Sequence, residues 1–155
     1  MDPLFYMELA RREALLAYEA GDVPVGCVIV YRDEVIGRGR NRRNERKNAL
    51  CHAELLAVDQ ACGYMRDWRL EDCDAYVTVE PCPMCAGALL QARVRRLYFG
   101  AKNPKAGAVG SVVDLLGMDG FNHRVEVVSG VMEEECRELM QRFFRERRVT
   151  PGPSA

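Results

Sequence analysis

Two short stretches of this 155-residue chain hold the residue types that do chemistry: Cys51-His52-Ala53-Glu54 and Glu80-Pro81-Cys82-Pro83-Met84-Cys85. Each alone is weak. A lone histidine at a helix start is usually structural or a cap, and a lone Cys-x-x-Cys also reads as a redox pair. Together they read as a metal site. Cys82 and Cys85 are three apart in the first turn of an expected helix, so both sulfurs lie on one face, where the positive helix end favours thiolate. Two anionic sulfurs call for a cation, and His52, opening a helix of its own, supplies a third ligand if the two helix starts meet at adjacent strand ends.

Three protein ligands leave one tetrahedral position for water, which is the mark of a catalytic zinc rather than a structural one. Water in that position has its pKa lowered to about 7, giving hydroxide at neutral pH. Glu54 follows the histidine by two residues, so on a helix it points roughly 200° away from it. That direction suits a carboxylate that moves protons beside the metal better than one that ligates it. The plainer role for Glu54 is a first-turn acid complementing the helix dipole.

These residues need strands and helices to hold them. Asp2 and Pro3 read as an N-cap and a first-turn proline, and Phe5, Leu9 and Leu16 with Tyr6, Ala10 and Ala17 recur at helical spacing. Val25 to Tyr31 is a nearly continuous apolar run, Arg32-Asp33-Glu34 a turn, and Val35 to Gly39 a partner strand, so a hairpin is expected whose first strand is buried on both faces. A helix from about His52 to Cys62, stopped by Gly63, follows. Then come a strand at Ala75 to Val79, a helix at Cys82 to Ala92, strands at Arg96 to Phe99 and Val125 to Ser129, and a closing helix at Glu133 to Arg148. Asn103 to Gly110 carries the breakers of an exposed loop. Helices alternating with strands after an opening hairpin predict an α/β fold, a three-layer α/β/α sandwich on a five-stranded mixed sheet. The length suits a single domain over residues 1–150, with residues 151–155 as a frayed tail.

Composition narrows the class. Hydrophobic residues are 48% and charged residues 29%, ordinary for a globular protein, and no apolar stretch approaches a membrane span. The start has no signal-peptide pattern, so the chain is expected in the cytoplasm. Seven cysteines, an odd number, fit reduced thiols and metal ligation better than a disulfide framework; Cys27, Cys62, Cys73 and Cys136 are expected as small buried hydrophobes. A net charge of −1 hides basic clusters at Arg38 to Lys47, at Arg93 to Lys105, and at Arg142, Arg145, Arg147 and Arg148. One such cluster is a solvated face; three suggest a phosphate-rich partner.

His-x-Glu followed by Pro-Cys-x-x-Cys resembles the signature of the cytidine deaminase-like superfamily. The likeness extends further. Val23-Pro24-Val25-Gly26, Asn41, Val77 to Ala88, Phe99-Gly100-Ala101, Lys105 with Gly107, Gly110-Ser111 and Asn122 to Glu126 all look like the tRNA-specific adenosine deaminases, over roughly residues 5–148. The resemblance implies a homodimer with one Zn²⁺ per subunit, converting adenosine to inosine at the wobble position of a tRNA anticodon. His52, Cys82 and Cys85 would hold the metal, and Glu54 would carry the proton to ring N1 while hydroxide attacks C6. By the same resemblance Asn41 and the backbone at Ala53 would position the target nucleotide, and the loop from Ala101 to Ser111, with Asn103, Lys105 and Ser111, would hold its neighbours.

The sequence departs from that family in two places. Asn103 stands where an aspartate is common, keeping an acceptor for a ribose 2′-hydroxyl without the charge, so weaker discrimination of RNA from DNA is expected than in aspartate-bearing relatives. Cys51 stands where a small residue is usual, and becomes a fourth ligand only if the helix start is distorted. His123, Trp68 and the Phe143-Phe144 pair are read as packing, although the pair, beside Arg145, also suits stacking on an anticodon loop. Three functions fit the whole: a tRNA adenosine deaminase, a deaminase of a free ring such as guanine, cytosine or a pteridine, and a zinc-stabilised RNA-binding module in which Glu54 is idle. The basic loops favour the polynucleotide, since a free base needs no phosphate contacts.

Overall fold

The computed structural model describes residues 2–149. Helix α1 (Pro3–Glu19) starts as its sequence dictates, with the Asp2 carboxylate accepting from the Leu4 amide at 2.9 Å. Strands β1 (Gly26–Tyr31) and β2 (Glu34–Arg40) form the hairpin. Its turn residues Arg32 and Asp33 both have positive φ, 48° and 64°, the twist that a two-residue hairpin loop requires. Then follow α2 (Ala53–Met65), β3 (Cys73–Val79), α3 (Pro83–Gln91), β4 (Arg96–Ala101), β5 (Glu126–Val128) and α4 (Glu133–Val149).

The sheet order is β2-β1-β3-β4-β5, with β1 antiparallel to both neighbours and β3, β4 and β5 parallel. Alternation along the central strands divides the core in two. Cys27, Ile29, Ala75, Val77, Leu97 and Phe99 face α2 and α3, while Val28, Val30, Tyr76 and Tyr98 face Tyr6, Met7 and Ala10 of α1. Helix α4 packs on β3 and β4, closing against Gly100, where an added Cβ would lie 2.7 Å from Cys136 Sγ. The expected α/β/α arrangement with a five-stranded mixed sheet is therefore the one observed. No helix among the described residues is long and apolar enough to cross a membrane, and all seven cysteines are free thiols.

Some local expectations need correction. Gly63 does not stop α2; the helix runs on to Met65 and ends where Arg66 takes the left-handed conformation at φ 53°. Phe5 and Leu16 are exposed, because α1 buries the stripe Tyr6, Met7, Ala10, Ala14 and Ala17, whose small members let the helix sit close to the sheet. Trp68 is exposed as well, flanked by the Arg69 and Arg93 guanidinium groups at 5.2 and 5.7 Å from its ring. Cys62 is half-buried rather than buried. His123 is structural, its Nε2 lying 2.7 Å from the Val94 carbonyl. Phe143 is buried, but Phe144 is 44% exposed. The tail at residues 151–155 lies outside the described residues.

Close approach of α2 to the sheet fixes the site. Gly37 and Gly39 of β2 lie under it, and Cβ atoms there would come within 2.3 Å of the Ala57 carbonyl and 2.1 Å of the Ala53 carbonyl. Ala53, Ala57 and Ala61 form the buried seam above them. The parallel register of β3 and β4 pairs Val79 with Ala101, so both strands deliver their following loops to one edge. Ligands of open α/β sheets bind at such carboxyl ends.

Candidate active site

His52 is the N-cap of α2 and Cys82 the N-cap of α3, with Cys85 in the first turn of α3. The two helix starts meet beyond the end of β3. His52 Nδ1 lies 3.7 Å from Cys82 Sγ and 3.5 Å from Cys85 Sγ, and the three ligand atoms all lie within 4.8 Å of one another. A tetrahedral zinc with Zn–S of ~2.3 Å and Zn–N of ~2.0–2.1 Å separates sulfur from nitrogen by about 3.5 Å. The donor set and its spacing therefore fit that ion. Cys51 is buried but is not among the three converging groups.

The electrostatics are those of a polar cluster partly withdrawn from water. Cys82 is pushed down to about 4 by the hydrogen bond from the Cys85 thiol and by the His52 ring, while Cys85 is pushed well up by sharing that proton and by burial. His52 is raised by its hydrogen bond to Cys82. Glu54, 4% exposed, has its carboxyl pushed up to about 7, chiefly by burial.

Beside these groups is a cavity of about 160 Å³ lined by Val25, Asn41, Arg43, His52, Ala53, Glu54, Val79, Glu80, Cys82, Asn103 and Met140, among others. It is smaller than the ~300–1,000 Å³ of drug-sized ligand pockets, so it suits a single ring system. Asn41 is fixed by donating to the Val23 carbonyl at 3.2 Å and accepting from the Arg43 amide at 3.0 Å. These two bonds leave a second N–H and a second lone pair of its carboxamide untaken by either. Ala53 is the first residue of α2, where backbone amides have no partner within the helix.

The cavity opens beside a groove of about 1040 Å³ between α4 and the loop after β4, sharing Val79, Asn103 and Met140 with it. Lys102, Lys105, Arg137, Arg145 and Arg147 line this groove together with Phe144. So of the residues expected at the site, His52, Ala53, Glu54, Asn41, Cys82 and Asn103 surround one cavity, Cys85 lies buried behind it, and Lys105 faces the groove. Ser111 lines neither; its amide and hydroxyl both donate to the Glu80 carboxylate. Sequence reasoning missed Arg43, Glu80 and Met140. Nothing in the chain singles out Met140, one of several apolar residues on α4, more than fifty positions beyond Cys85.

The chain matches the MafB19-like deaminase family over residues 1–148. It is 49% identical over 143 residues to a tRNA-specific adenosine deaminase of Bacillus subtilis, covering 92% of this chain and 89% of that one. A solved structure from work on A-to-I editing by tRNA:A34 deaminases at the wobble position of transfer RNA superposes with a TM-score of 0.84 at 44% identity, over 87% of this chain and 98% of that one. A guanine deaminase from Nitrosomonas europaea shares the fold, with a TM-score of 0.74 at 20% identity over 92% of this chain and 84% of that one.

Proposed function

As the chain belongs to the tRNA-specific adenosine deaminase family, we propose that it converts adenosine to inosine at the wobble position of a tRNA anticodon. One observation carries the reading: a ring-sized cavity lined by His52, Cys82 and Glu54, with Cys85 behind it, opens beside a basic, aromatic groove. A free base has no phosphates for such a groove to hold. A flipped base would enter the cavity while its neighbours lie against Lys105, Arg145 and Phe144.

His52, Cys82 and Cys85 would hold one zinc ion. When bound, it supplies a water acidified to a pKa of about 7. Glu54 takes a proton from water and delivers it to ring N1. The C6–O bond forms; Glu54, emptied by that transfer, takes the second proton from the new C6 hydroxyl and passes it to N6, and the C6–N6 bond breaks, releasing ammonia and leaving the C6 carbonyl of inosine. Burial suits the carboxylate to both halves of this exchange, because a group that titrates near neutrality accepts and donates with comparable ease. Asn41 offers its free N–H and lone pair to the nucleotide, and the Ala53 amide offers a donor at the positive end of α2.

The same reading places the protein in the cytoplasm as a homodimer, with the apolar side chains Val112, Val113, Met118 and Phe121, exposed along the 107–122 segment, as the face for a second copy. Zinc-loaded protein incubated with an anticodon stem-loop bearing a wobble adenosine, followed by nucleoside mass spectrometry, tests the function. Inosine from the parent and none from Glu54→Ala is expected. No inosine from folded, zinc-loaded parent sinks the reading and directs the search to free purines and pyrimidines.

A further inference from the structure

Glu80 takes no part in the chemistry above, yet its side chain is 2% exposed and is the most heavily bonded carboxylate of the site. Oε1 accepts from the Asn103 amide at 3.1 Å and from the Ser111 hydroxyl; Oε2 accepts from the Val109 amide at 2.9 Å and the Ser111 amide at 3.1 Å. All the donors come from the loop that follows β4. Gly107 allows this wrapping, since a Cβ there would lie 2.3 Å from Oε2 and 2.6 Å from the Asn103 carbonyl. The backbone adds two stitches on either side, Glu80 N–H to the Ala101 carbonyl and Ala108 N–H to the Pro81 carbonyl, each 2.8 Å.

We propose that Glu80 is the positioning residue of the nucleic-acid grip: the 102–111 loop is wound on its carboxylate, which thereby holds Asn103 at the junction of cavity and groove and Lys105 along the groove. The inference rests on the tRNA deaminase reading and deepens it. A carboxylate is the only side chain of this length that offers acceptors at both ends of the fork. Glutamine keeps one oxygen and turns an amino group toward N–H donors. It is best accommodated with that amino group at the Oε1 position, because the Ser111 hydroxyl can rotate and accept from it. The Asn103 amide cannot, and loses its partner, while the Val109 and Ser111 amides keep theirs.

The test uses zinc-loaded full-length parent, Glu80→Gln and Gly107→Ala. Steady-state kinetics on the anticodon stem-loop are combined with zinc content and amide hydrogen exchange. Expected for Glu80→Gln is a KM raised about tenfold with kcat changed less than about twofold, as for loss of one charge-assisted hydrogen bond that acts on binding alone. Zinc content stays at the parent's level, and the Asn103 amide exchanges faster while the Val109 amide stays protected. Gly107→Ala, which pushes on the other oxygen, Oε2, from outside, raises KM in the same direction. A kcat that falls at unchanged KM, zinc lost along with activity, or unchanged exchange at Asn103 overturns the proposal and leaves Glu80 as support for the Cys82 turn alone. Stem-loop binding is titrated separately with Glu54→Ala and with Glu54→Ala/Glu80→Gln. There the second change must weaken binding about tenfold even if no chain forms inosine, so failure of the substrate reading is told apart from failure of the anchor.

Discussion

Replacing Gly39 by alanine should move the Glu54 carboxylate without touching it. The new Cβ would lie 2.1 Å from the Ala53 carbonyl oxygen and 2.8 Å from the Ala57 amide nitrogen, where ordinary contact begins at 3.4 Å. Both obstructing atoms are helix backbone and cannot rotate aside. The first turn of α2, which carries Ala53 and Glu54 and follows directly on His52, must therefore separate from β2 by about 1 Å, the shortfall between the Ala53 distance and normal contact. Overpacking of this kind costs about 1–3 kcal/mol of stability. A displacement of about 1 Å at a reacting group costs on the order of 10²-fold in rate. Gly63→Ala is the control. It lies in the same helix, a Cβ there meets nothing within 4 Å, and removing a helical glycine should stabilise by about 0.5–1 kcal/mol with kcat unchanged. The assay is inosine formation at saturating stem-loop, beside urea unfolding and zinc content for each variant. Gly39→Ala with parental kcat would refute the reasoning, whatever happened to stability, because it would show that the first turn of α2 is not positioned by its contact with β2.

Three further outcomes are expected. Removal of metal by a chelator should abolish deamination, and activity should return in proportion to added zinc with an end point near one equivalent per chain; titration by metal-content analysis checks this, and full activity in stripped protein would contradict it. Stem-loop affinity should fall steeply with salt, and Lys105→Ala should reduce the slope of log K against log salt by about 0.7, the single-strand value for one phosphate contact. Asp22, buried, accepts from the Asn44 and Glu45 amides at 2.9 and 3.0 Å. Asp22→Asn opposes a donor to one of those amides and should cost about 1–3 kcal/mol in urea unfolding, and a change under about 0.5 kcal/mol would show that the loop re-forms without it.

The parts legible in the sequence were those set by neighbours along the chain. Alternation and apolar runs located β1, β3 and β4, and the Asp2-Pro3 pair located the start of α1, because caps and pleats are local devices. Spacing also put His52, Cys82 and Cys85 at helix starts, where three ligand atoms can converge. The errors share a cause. Glycine is a frequent helix stop, yet Gly63 continues α2 because its conformation is helical and Arg66 supplies the left-handed cap. Phe5 and Leu16 fit an apolar period, but the sheet selects the smaller stripe beside them, which allows the close approach at Gly26. Glu80 stands in the sequence only as the first residue of the 80–85 stretch; its partners lie 23 to 31 positions away, and no local pattern announces such a bond.

The site's two buried glutamates show why residue type alone does not assign a role. Glu54 and Glu80 are 4% and 2% exposed, so burial acts on both to favour the protonated form. For Glu54 burial prevails and the carboxyl rises to about 7. For Glu80 burial again pulls upward, but the Ser111 hydroxyl and the Asn103, Val109 and Ser111 amides outweigh it and hold the carboxyl below its usual range. Heavier desolvation and the Cys82 thiolate raise Glu54, and the four donors aimed at its oxygens hold Glu80 down. A carboxylate left short of donors can exchange a proton with a substrate; one saturated with them stays charged and serves as a fixed post around which a loop is wound. Both lie on the wall of one cavity, so under the proposed function proton transfer and substrate grip would be kept separate by hydrogen bonding rather than by distance.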